Sequence, residues 1–432
     1  MTKASSQLWP TRPLDSWQKC KELRLAHYRE MGEARERGEL VVAGSAWEGM
    51  ALPSGLGDYV FLGGEPYGAS IASDGEFTQA CVEAVEARGF AREMCAHMRN
   101  YMGSVYLDRY LFGGPFPRPD FCLTLHICDH HAKWYQMLGE HLGIPYFGID
   151  VPVADSRVRR EDRIEYVASQ FYDAIDWMER VSGRPWDDER FIDGLTYSCE
   201  SVSLFSQIMM LNQAVPAPMD YKSLLTLYLP SVLVRYRKEA VEFYRMLLDE
   251  VAERVAGGIA ALGTERFRLF HDSQPPWYFL KMFRLLESYG AVCVGSLYMA
   301  NFGAFVAGDD GEWSPALSPG EQGLELKTRE DAVRFYARWV MESPSLDSWF
   351  LAGSRSARML QLMRQWRAQG MVMHLNRGCR GTSLAQLEGR LSLMEAGIPV
   401  MTYEGNMADA REFDEAQTVD RMESFMESLG LL

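Results

Sequence analysis

The alternation of apolar and polar positions predicts strands separated by helices in the first third of the chain. Apolar spacings of three and four residues indicate helices over 15–39, 77–102 and 130–143. Helices that alternate with buried strands predict a parallel sheet covered on both faces. Short apolar runs, typical of such strands, lie at 40–44, 59–63, 120–127 and 144–150.

The pattern changes in the middle of the chain and then returns. Helical spacing dominates from about 160 to 256, and the segment 308–323 is expected to be a loop. Further strands beside helical patterns are predicted at 267–271, 291–298, 371–375 and 399–404. We therefore expect an α/β fold with two open parallel-sheet domains, Rossmann- or flavodoxin-like, joined by a helical segment. The expected divisions are an N-terminal helical segment 1–39, a first α/β domain 40–157, a helical subdomain 158–260 and a second α/β domain 261–432.

Composition narrows the class of protein. The net charge is −15 and no basic run occurs, so we expect no nucleic-acid partner. The longest apolar stretch, roughly 224–234, contains Pro230 and is too short to cross a bilayer. The first ten residues lack the charged-then-apolar pattern of a signal peptide. We expect a cytoplasmic protein without a membrane segment.

Cysteine usage points to thiols rather than disulfides. In a large cytosolic chain, scattered cysteines are reduced thiols, buried residues or metal ligands. No CxxC pair occurs, which argues against a zinc ribbon or a thioredoxin-type site. The eight cysteines are Cys20, Cys81, Cys95, Cys122, Cys128, Cys199, Cys293 and Cys379.

Two of these cysteines follow predicted strands. In open α/β sheets, ligands bind beyond the carboxyl ends of the strands. Four polar clusters fall there, and Cys128 and Cys379 each belong to one, in different α/β halves. This placement predicts a site at the interface between the two domains. The four clusters are 126–131, 271–276, 374–381 and 403–406.

The residues alone leave the role of each thiol open. Cys128 and Cys379 are candidates for a metal ligand or a nucleophile, and the competing interpretation is a small buried side chain. Their His, Asp and Arg neighbours favour a function. Zinc held by Cys128 with His126 or His130 is a further hypothesis, although the compact ligand spacings of structural zinc are absent. Cys95 is expected near a helix C-terminus, in the core. The cysteines inside predicted helices or a strand, Cys20, Cys81, Cys199 and Cys293, are predicted to be packing residues.

Several catalytic motifs are absent. The sequence contains no GxxxxGK[ST] phosphate loop, no GxGxxG, no HExxH and no GxSxG. If ATP drives this system, another subunit must therefore hydrolyse it.

Four segments together resemble one protein family. They are GGEPYGAS (63–70), HICDHHAKWYQ (126–136), HLNRGCRG (374–381) and YEGNMADAREF (403–413). This ordered set, from about residue 40 to the C-terminus, resembles the 2-hydroxyacyl-CoA dehydratases and the catalytic subunits of ATP-dependent benzoyl-CoA reductases. The details look most like the O-type subunit of the Bzd class of benzoyl-CoA reductase.

The resemblance implies a [4Fe–4S] cluster bound by Cys95, Cys128 and Cys379, with one iron left open. Thiolates are soft ligands suited to such a cluster, and wide spacing lets it lie between domains. For proton transfer or contacts with the thioester carbonyl, the first candidates are His126, His130, Glu65 and Ser45, of which Ser45 and Glu65 rest on positional matching alone.

The resemblance also implies a reaction and partners. The first expectation is a subunit of a benzoyl-CoA (aryl-CoA) reductase that delivers low-potential electrons and forms a cyclic diene thioester. The alternatives are a subunit of an (R)-2-hydroxyacyl-CoA dehydratase, a cluster-relay subunit that binds no substrate, and a redox-inert structural protein. The implied partners are an acyl-CoA substrate, a homologous cluster-binding subunit in a heterodimer, an iron–sulfur ATPase activator that uses the ATP, and reduced ferredoxin upstream.

Overall fold

A computed structural model describes residues 8–47, 49–153, 157–308, 311–342 and 351–432. Its first half contains a four-stranded sheet in which every pairing is parallel, in the order β2-β1-β3-β4. The strands are β1 (Leu40–Gly44), β2 (Tyr59–Gly63), β3 (Phe121–His126) and β4 (Tyr146–Asp150). The accompanying helices are α1 (Ser16–Glu33), α2 (Gly64–Ile71), α3 (Gly75–Glu86), α4 (Ala96–Tyr106) and α5 (Asp129–Leu142).

Strands β1 and β2 have the bounds that the apolar pattern predicts. Every residue of both strands is buried, because helices cover both faces of the sheet. A strand that is buried on both sides is a continuous apolar run, and such a run is easy to recognise in a sequence.

The middle of the chain is helical, as expected. Helix α7 packs against α10, and α1 packs against α9 and α10. The Asp187 side chain starts α7 by accepting hydrogen bonds from the backbone N–H groups of Glu189 and Arg190. The helices are α6 (Arg160–Ser182), α7 (Asp188–Leu211), α8 (Tyr221–Leu227), α9 (Leu229–Leu233) and α10 (Lys238–Ala256).

A second parallel four-stranded sheet follows, in the order β10-β9-β5-β6. Its strands are β5 (Phe267–Asp272), β6 (Ala291–Ser296), β9 (Gly370–Asn376) and β10 (Val400–Gly405), and β7 (Phe305–Ala307) pairs antiparallel with β8 (Trp313–Pro315). The helices of this part are α11 (Met282–Ser288), α12 (Leu297–Phe302), α13 (Arg329–Glu342), α14 (Ala352–Gln365), α15 (Arg380–Ser383), α16 (Gln386–Glu395) and α17 (Glu415–Ser428). Short 3₁₀ turns lie at Leu52–Leu56, Trp277–Phe279 and Ala410–Glu412.

The two four-stranded sheets have the same topology. If the strands of each sheet are counted along the chain, both have the spatial order 2-1-3-4. The strand order therefore reverses between the first and third strand of each sheet, between β1 and β3 and between β5 and β9. Ligands of open α/β sheets bind at such a switch point, beyond the carboxyl ends of the strands. The fold class expected from the sequence is confirmed.

The structure corrects several predicted elements. The helix predicted over 77–102 is two helices, because Gly89 turns the chain at a φ of +86° between α3 and α4. Cys95 therefore lies at the start of a helix, and the expectation that it lies near a C-terminus is wrong. The strand predicted at 291–298 ends at Ser296, whose side chain accepts a hydrogen bond from Met299 N and starts α12.

Two further segments differ from expectation. The predicted loop 308–323 contains strand β8, and its residues 309–310 lie outside the described part of the chain. Helix α1 ends at Glu33, several residues before the predicted end.

Among the residues that the structure describes, no helix is both long and apolar enough to cross a membrane. The domain boundaries stay a prediction.

Candidate functional site

The eight cysteines fall into two groups by exposure. Cys95, Cys128 and Cys379 are partly exposed. The other five, Cys20, Cys81, Cys122, Cys199 and Cys293, are buried. A thiol that must bind a ligand has to be reachable, whereas a buried thiol behaves as a small apolar side chain. The three partly exposed thiols are the three that the family resemblance selects.

Each of these three cysteines lies directly before a helix. Cys128 connects β3 to α5, Cys379 connects the end of β9 to the one-turn helix α15, and Cys95 precedes α4. The first backbone N–H groups of a helix have no partner within it, and they carry a partial positive charge. The starts of α4 and α5 therefore favour negative charge on the sulfur atoms of Cys95 and Cys128.

The three thiols lie close enough together to affect one another. Burial raises the pKa of Cys128 well above its usual value, and negative charge on Cys95 and Cys379 raises it further. Cys95 and Cys379 also contact the same small apolar cluster, which combines residues of both halves of the chain. That cluster consists of Ala72, Ala96, Met407 and Ala408.

The ionisation of these thiols is set by competing effects. Burial raises the pKa of Cys95 to about 12, and the charge of Cys379 adds to this effect, while the backbone N–H groups of His97 and Met98 oppose it. The N–H of His131 likewise lowers the pKa of Cys128, less strongly than burial raises it. Without a metal ion both groups are therefore neutral thiols at pH 7. Metal binding would release their protons, since thiolates are the ligands.

Asn376 organises the turn that carries Cys379. Its side-chain oxygen accepts hydrogen bonds from Gly378 N (3.1 Å) and Met407 N (3.3 Å), and the residue is fully buried. Its backbone carbonyl accepts from Cys379 N at 3.3 Å. A Cβ atom on Gly378 would lie 2.7 Å from the Asn406 amide, so a larger residue would have to displace that side chain. The cysteine is thus held by a rigid turn between β9 and α15.

Glu65 lies beside the thiols in the first turn of α2. Its carboxylate contacts His131 and accepts a hydrogen bond from Ala46 N at 3.0 Å. Burial raises the pKa of Glu65, but His131 and the Ala46 N–H outweigh this effect and hold it below its usual value. Its negative charge in turn raises the pKa values of Cys95 and Cys128. Glu65 is therefore an ionised acceptor close to the thiols.

His130 and Asp129 lie at the edge of the site. The ligand atoms of Cys128, Asp129 and His130 are within 4.8 Å of one another, so they could also hold a metal ion. Asp129 accepts from His130 Nδ1 at 3.1 Å and pairs with Arg380 at 3.6 Å, which joins the two halves. Of the two histidines in the zinc hypothesis, the structure brings His130 next to Cys128.

His126 and Ser45 make other contacts. His126 Nε2 is hydrogen-bonded to the Tyr146 hydroxyl on β4 at 2.6 Å. Ser45 is buried after β1 and accepts from Thr124 Oγ1 at 3.2 Å. Within the described ranges neither residue has a hydrogen bond to the three thiols. In the loop after β1, it is the backbone N–H of Ala46 that contacts the site, by its hydrogen bond to Glu65.

Contacts from both halves close around the thiols. Trp277 Nε1 donates to His97 Nε2 at 2.9 Å, and burial lowers the pKa of His97 to about 4, so this histidine is neutral. Asn100 Nδ2 donates to Ala408 O at 3.2 Å. These contacts fix helix α4, and therefore Cys95, against the loops of the second sheet.

Sequence reasoning missed two polar residues of this site. His131 was not selected, although it contacts Glu65, and Gln274 was not selected, although it donates to Cys379 Sγ at 3.5 Å. Gln274 belongs to the polar cluster after β5, so its position at a strand end was the available signal. Its contact with Cys379 joins residues far apart in the chain and is visible only in the fold.

The fold and site define an α/β protein with a thiol-lined site between two parallel sheets. Residues 63–429 match the model of the family described as 2-hydroxyglutaryl-CoA dehydratase, D-component. Because the match covers most of the chain, the protein belongs to this family. The resemblance inferred from the four sequence segments is confirmed.

Individual relatives refine the comparison. The (R)-phenyllactyl-CoA dehydratase alpha subunit of Clostridium sporogenes is 28% identical over 400 residues, which cover 91% of each chain. The (R)-2-hydroxyisocaproyl-CoA dehydratase alpha subunit of Clostridioides difficile is 26% identical over 420 residues, which cover 94% of each. A benzoyl-CoA reductase subunit of Thauera aromatica is 23% identical over 355 residues, covering 79% of this chain and 78% of that protein. The comparisons therefore support the dehydratase alternative better than the reductase expected first.

Proposed function

We propose that this chain is an iron–sulfur subunit of an enzyme that removes water from an (R)-2-hydroxyacyl-CoA thioester. The observation that carries the proposal is the convergence of Cys95, Cys128 and Cys379, the partly exposed thiols, at helix starts between two parallel sheets. The proposed substrate class rests on the two relatives named as alpha subunits of (R)-phenyllactyl-CoA and (R)-2-hydroxyisocaproyl-CoA dehydratases.

The donor set fits a [4Fe–4S] cluster. Three thiols offer three soft ligands, which leaves one iron of a four-iron cluster without a cysteine. Helix N–H groups beside Cys95 and Cys128 favour negative charge at the sulfurs. When bound, such a cluster would supply single electrons at low potential to the acyl thioester.

Glu65 is proposed as the proton acceptor of the site. An ionised carboxylate can accept a proton or a hydrogen bond but cannot donate one. His131 and Ala46 N hold its two oxygens, so the carboxylate is oriented before any substrate arrives. Elimination of water from a 2-hydroxyacyl chain requires a proton to leave carbon, and Glu65 is proposed to accept it.

The partners follow from the same proposal. The relatives are named as subunits, which supports a second subunit here, and we propose the homologous cluster-binding chain of a heterodimer. The sequence has no phosphate loop, so a separate iron–sulfur ATPase activator would use ATP. Reduced ferredoxin would supply that activator with electrons.

An aryl-CoA reductase subunit is the second candidate. The relative named as a benzoyl-CoA reductase subunit supports it, with lower identity than the dehydratase subunits. In that case the same thiols would serve net reduction of an aromatic thioester. A relay subunit that binds no substrate is a third candidate. A measurement of acyl-CoA binding to this chain distinguishes it from the other two.

The first experiment measures the metal. The chain is co-expressed with its genomic neighbours and purified without oxygen, and iron, acid-labile sulfide, zinc and the EPR spectrum are determined. About four irons per chain are expected for one [4Fe–4S] cluster. Protein that contains zinc or no metal under these conditions contradicts the proposal.

The second experiment separates the two reactions. The complex is supplied with an (R)-2-hydroxyacyl-CoA or with benzoyl-CoA, and electrons consumed per product are counted. A dehydratase recycles its electron, so many enoyl products form per electron supplied. A reductase consumes electrons in proportion to product, and that result with benzoyl-CoA would replace the dehydratase proposal.

A further inference from the structure

Gln274 has an unusual partner for a buried amide. It follows β5 at the carboxyl edge of the second sheet, and its Nε2 donates to Cys379 Sγ at 3.5 Å. The residue is only 8% exposed, so water does not compete freely for this amide group. Among the residues that the structure describes, Cys379 is the one of the three proposed ligands that receives a side-chain hydrogen bond from the loop after β5.

The orientation of the Gln274 amide is fixed by its neighbours. Its Oε1 accepts hydrogen bonds from Asn376 Nδ2 at 3.0 Å and from Thr382 Oγ1 at 2.9 Å. The side-chain amide of Asn376 cannot be flipped, because its oxygen accepts hydrogen bonds from the backbone N–H groups of Gly378 and Met407. A reversed Gln274 would place two donors against each other, so its NH₂ group must face the sulfur.

The backbone of Gln274 is also held. Its carbonyl accepts a hydrogen bond from His374 Nδ1 at 2.6 Å. Next to it, Asp272 forms a buried ion pair with Arg355 Nη2 at 2.7 Å, and Arg355 also donates to Thr382 O at 2.9 Å. This network ties the loop after β5 to the turn that carries Cys379.

We propose that Gln274 is a positioning residue that holds the Cys379 sulfur and raises the reduction potential of the cluster bound there. The proposal rests on the proposed function, because it requires the cluster. Reduction adds negative charge that spreads onto the sulfurs, and a hydrogen bond donated to a sulfur stabilises that charge. Outer partners of this kind orient ligands and tune the metal site.

The test replaces the donor and keeps the size of the side chain. In Gln274→Met the chain length is retained but the N–H is lost, and the midpoint potential is measured by EPR-monitored redox titration of the anaerobically purified complex. We expect iron content near the wild-type value and a more negative potential. Gln274→Glu, which removes the donor and adds a carboxylate, is expected to shift the potential in the same direction.

Gln386→Met is the matched control. Gln386 is buried in the same network and donates to His374 O at 2.7 Å and Asp272 Oδ2 at 3.3 Å, but its described hydrogen bonds do not involve the sulfur. Its replacement is expected to leave the potential unchanged. A shift as large as that of Gln274→Met would show a general packing effect and overturn the proposal.

Two failures can be told apart. If the wild-type complex contains no iron, the proposed function fails, and the role of Gln274 fails with it. If iron is present and neither Gln274→Met nor Gln274→Glu changes the potential, only the role of Gln274 is overturned.

Discussion

Cys128 and Cys379 occupy equivalent positions in the two parallel sheets. Each follows the third strand of a sheet with the order 2-1-3-4, and each immediately precedes the next helix. The two sheets present these thiols to a common site, where charge on Cys379 raises the pKa of Cys128. The site is therefore built from both halves of the chain, and neither sheet supplies it alone.

Because the two positions are equivalent, we predict that replacing either cysteine has the same effect on iron binding. Cys128→Ser and Cys379→Ser should each abolish iron binding and the visible absorbance, because a hydroxyl is a poor ligand for iron–sulfur clusters. Iron and acid-labile sulfide in anaerobically purified protein measure the loss. The control is Cys199→Ser, at a buried cysteine of α7, which should keep the iron. Full iron in either ligand variant would refute the ligand assignment.

The sequence predicts the strands of the sheets well because burial on both faces leaves a local signal. The bounds of β1 and β2 are those predicted, and the polar strand ends direct attention to Cys128 and Cys379. The helix assignment around Cys95 fails, because the apolar spacing continues through residues 87–95, where the chain turns at Gly89 and is not helical.

The remaining polar contacts of the site depend on the tertiary fold. Gln274 and Cys379 are 105 residues apart, and Glu65 meets His131 across two helices. No local pattern encodes such pairs. Ser45 and His126, two of the candidates named from the sequence, have hydrogen-bond partners elsewhere in the first sheet.

Glu65→Gln should separate catalysis from cluster binding. The amide has the same shape but cannot accept a proton, so the dehydration rate should fall by roughly 10²–10⁴-fold, as for the loss of a general base. Iron content should stay near the wild-type value, since Glu65 is not a proposed ligand. The measurements are enoyl-CoA formation and iron per chain. Glu83→Gln, at an exposed glutamate of α3, should change neither, and wild-type turnover in Glu65→Gln would remove Glu65 from the proposed mechanism.

A buried ion pair links α4 to the second half of the chain. Arg99 Nη1 lies 2.9 Å from Asp409 Oδ2, and both side chains are at most 1% exposed. Arg99→Met should lower the free energy of unfolding by about 2–3 kcal/mol, below the roughly 3–5 kcal/mol typical of a broken buried pair, because Arg411 still pairs with Asp409. Urea unfolding measures the change.

The control for this pair is the exposed arginine of the same charge network. Arg92 lies 3.9 Å from Glu86 and 3.8 Å from Glu412, and its side chain is 51% exposed. Arg92→Met should cost less than about 1 kcal/mol, as for a surface ion pair. Equal losses in the Arg99 and Arg92 variants would contradict a special role for the buried contact.

His27 makes the stability of the fold depend on pH. Burial, reinforced by the nearby charge of Arg237, lowers its pKa from 6.5 to about 3, and neither ring nitrogen has a hydrogen-bond partner among the described residues. Between these pKa values the unfolded chain binds a proton that the folded chain does not, so stability is lost as the pH falls below 6.5. From pH 7 to pH 5 this costs about 2 kcal/mol. His27→Phe removes the proton site while the other buried histidines stay. From pH 7 to pH 5, the wild-type free energy of unfolding in urea should therefore fall by about 2 kcal/mol more than that of the variant. Equal losses of unfolding free energy in the two proteins would show that His27 also binds a proton in the folded state over this range.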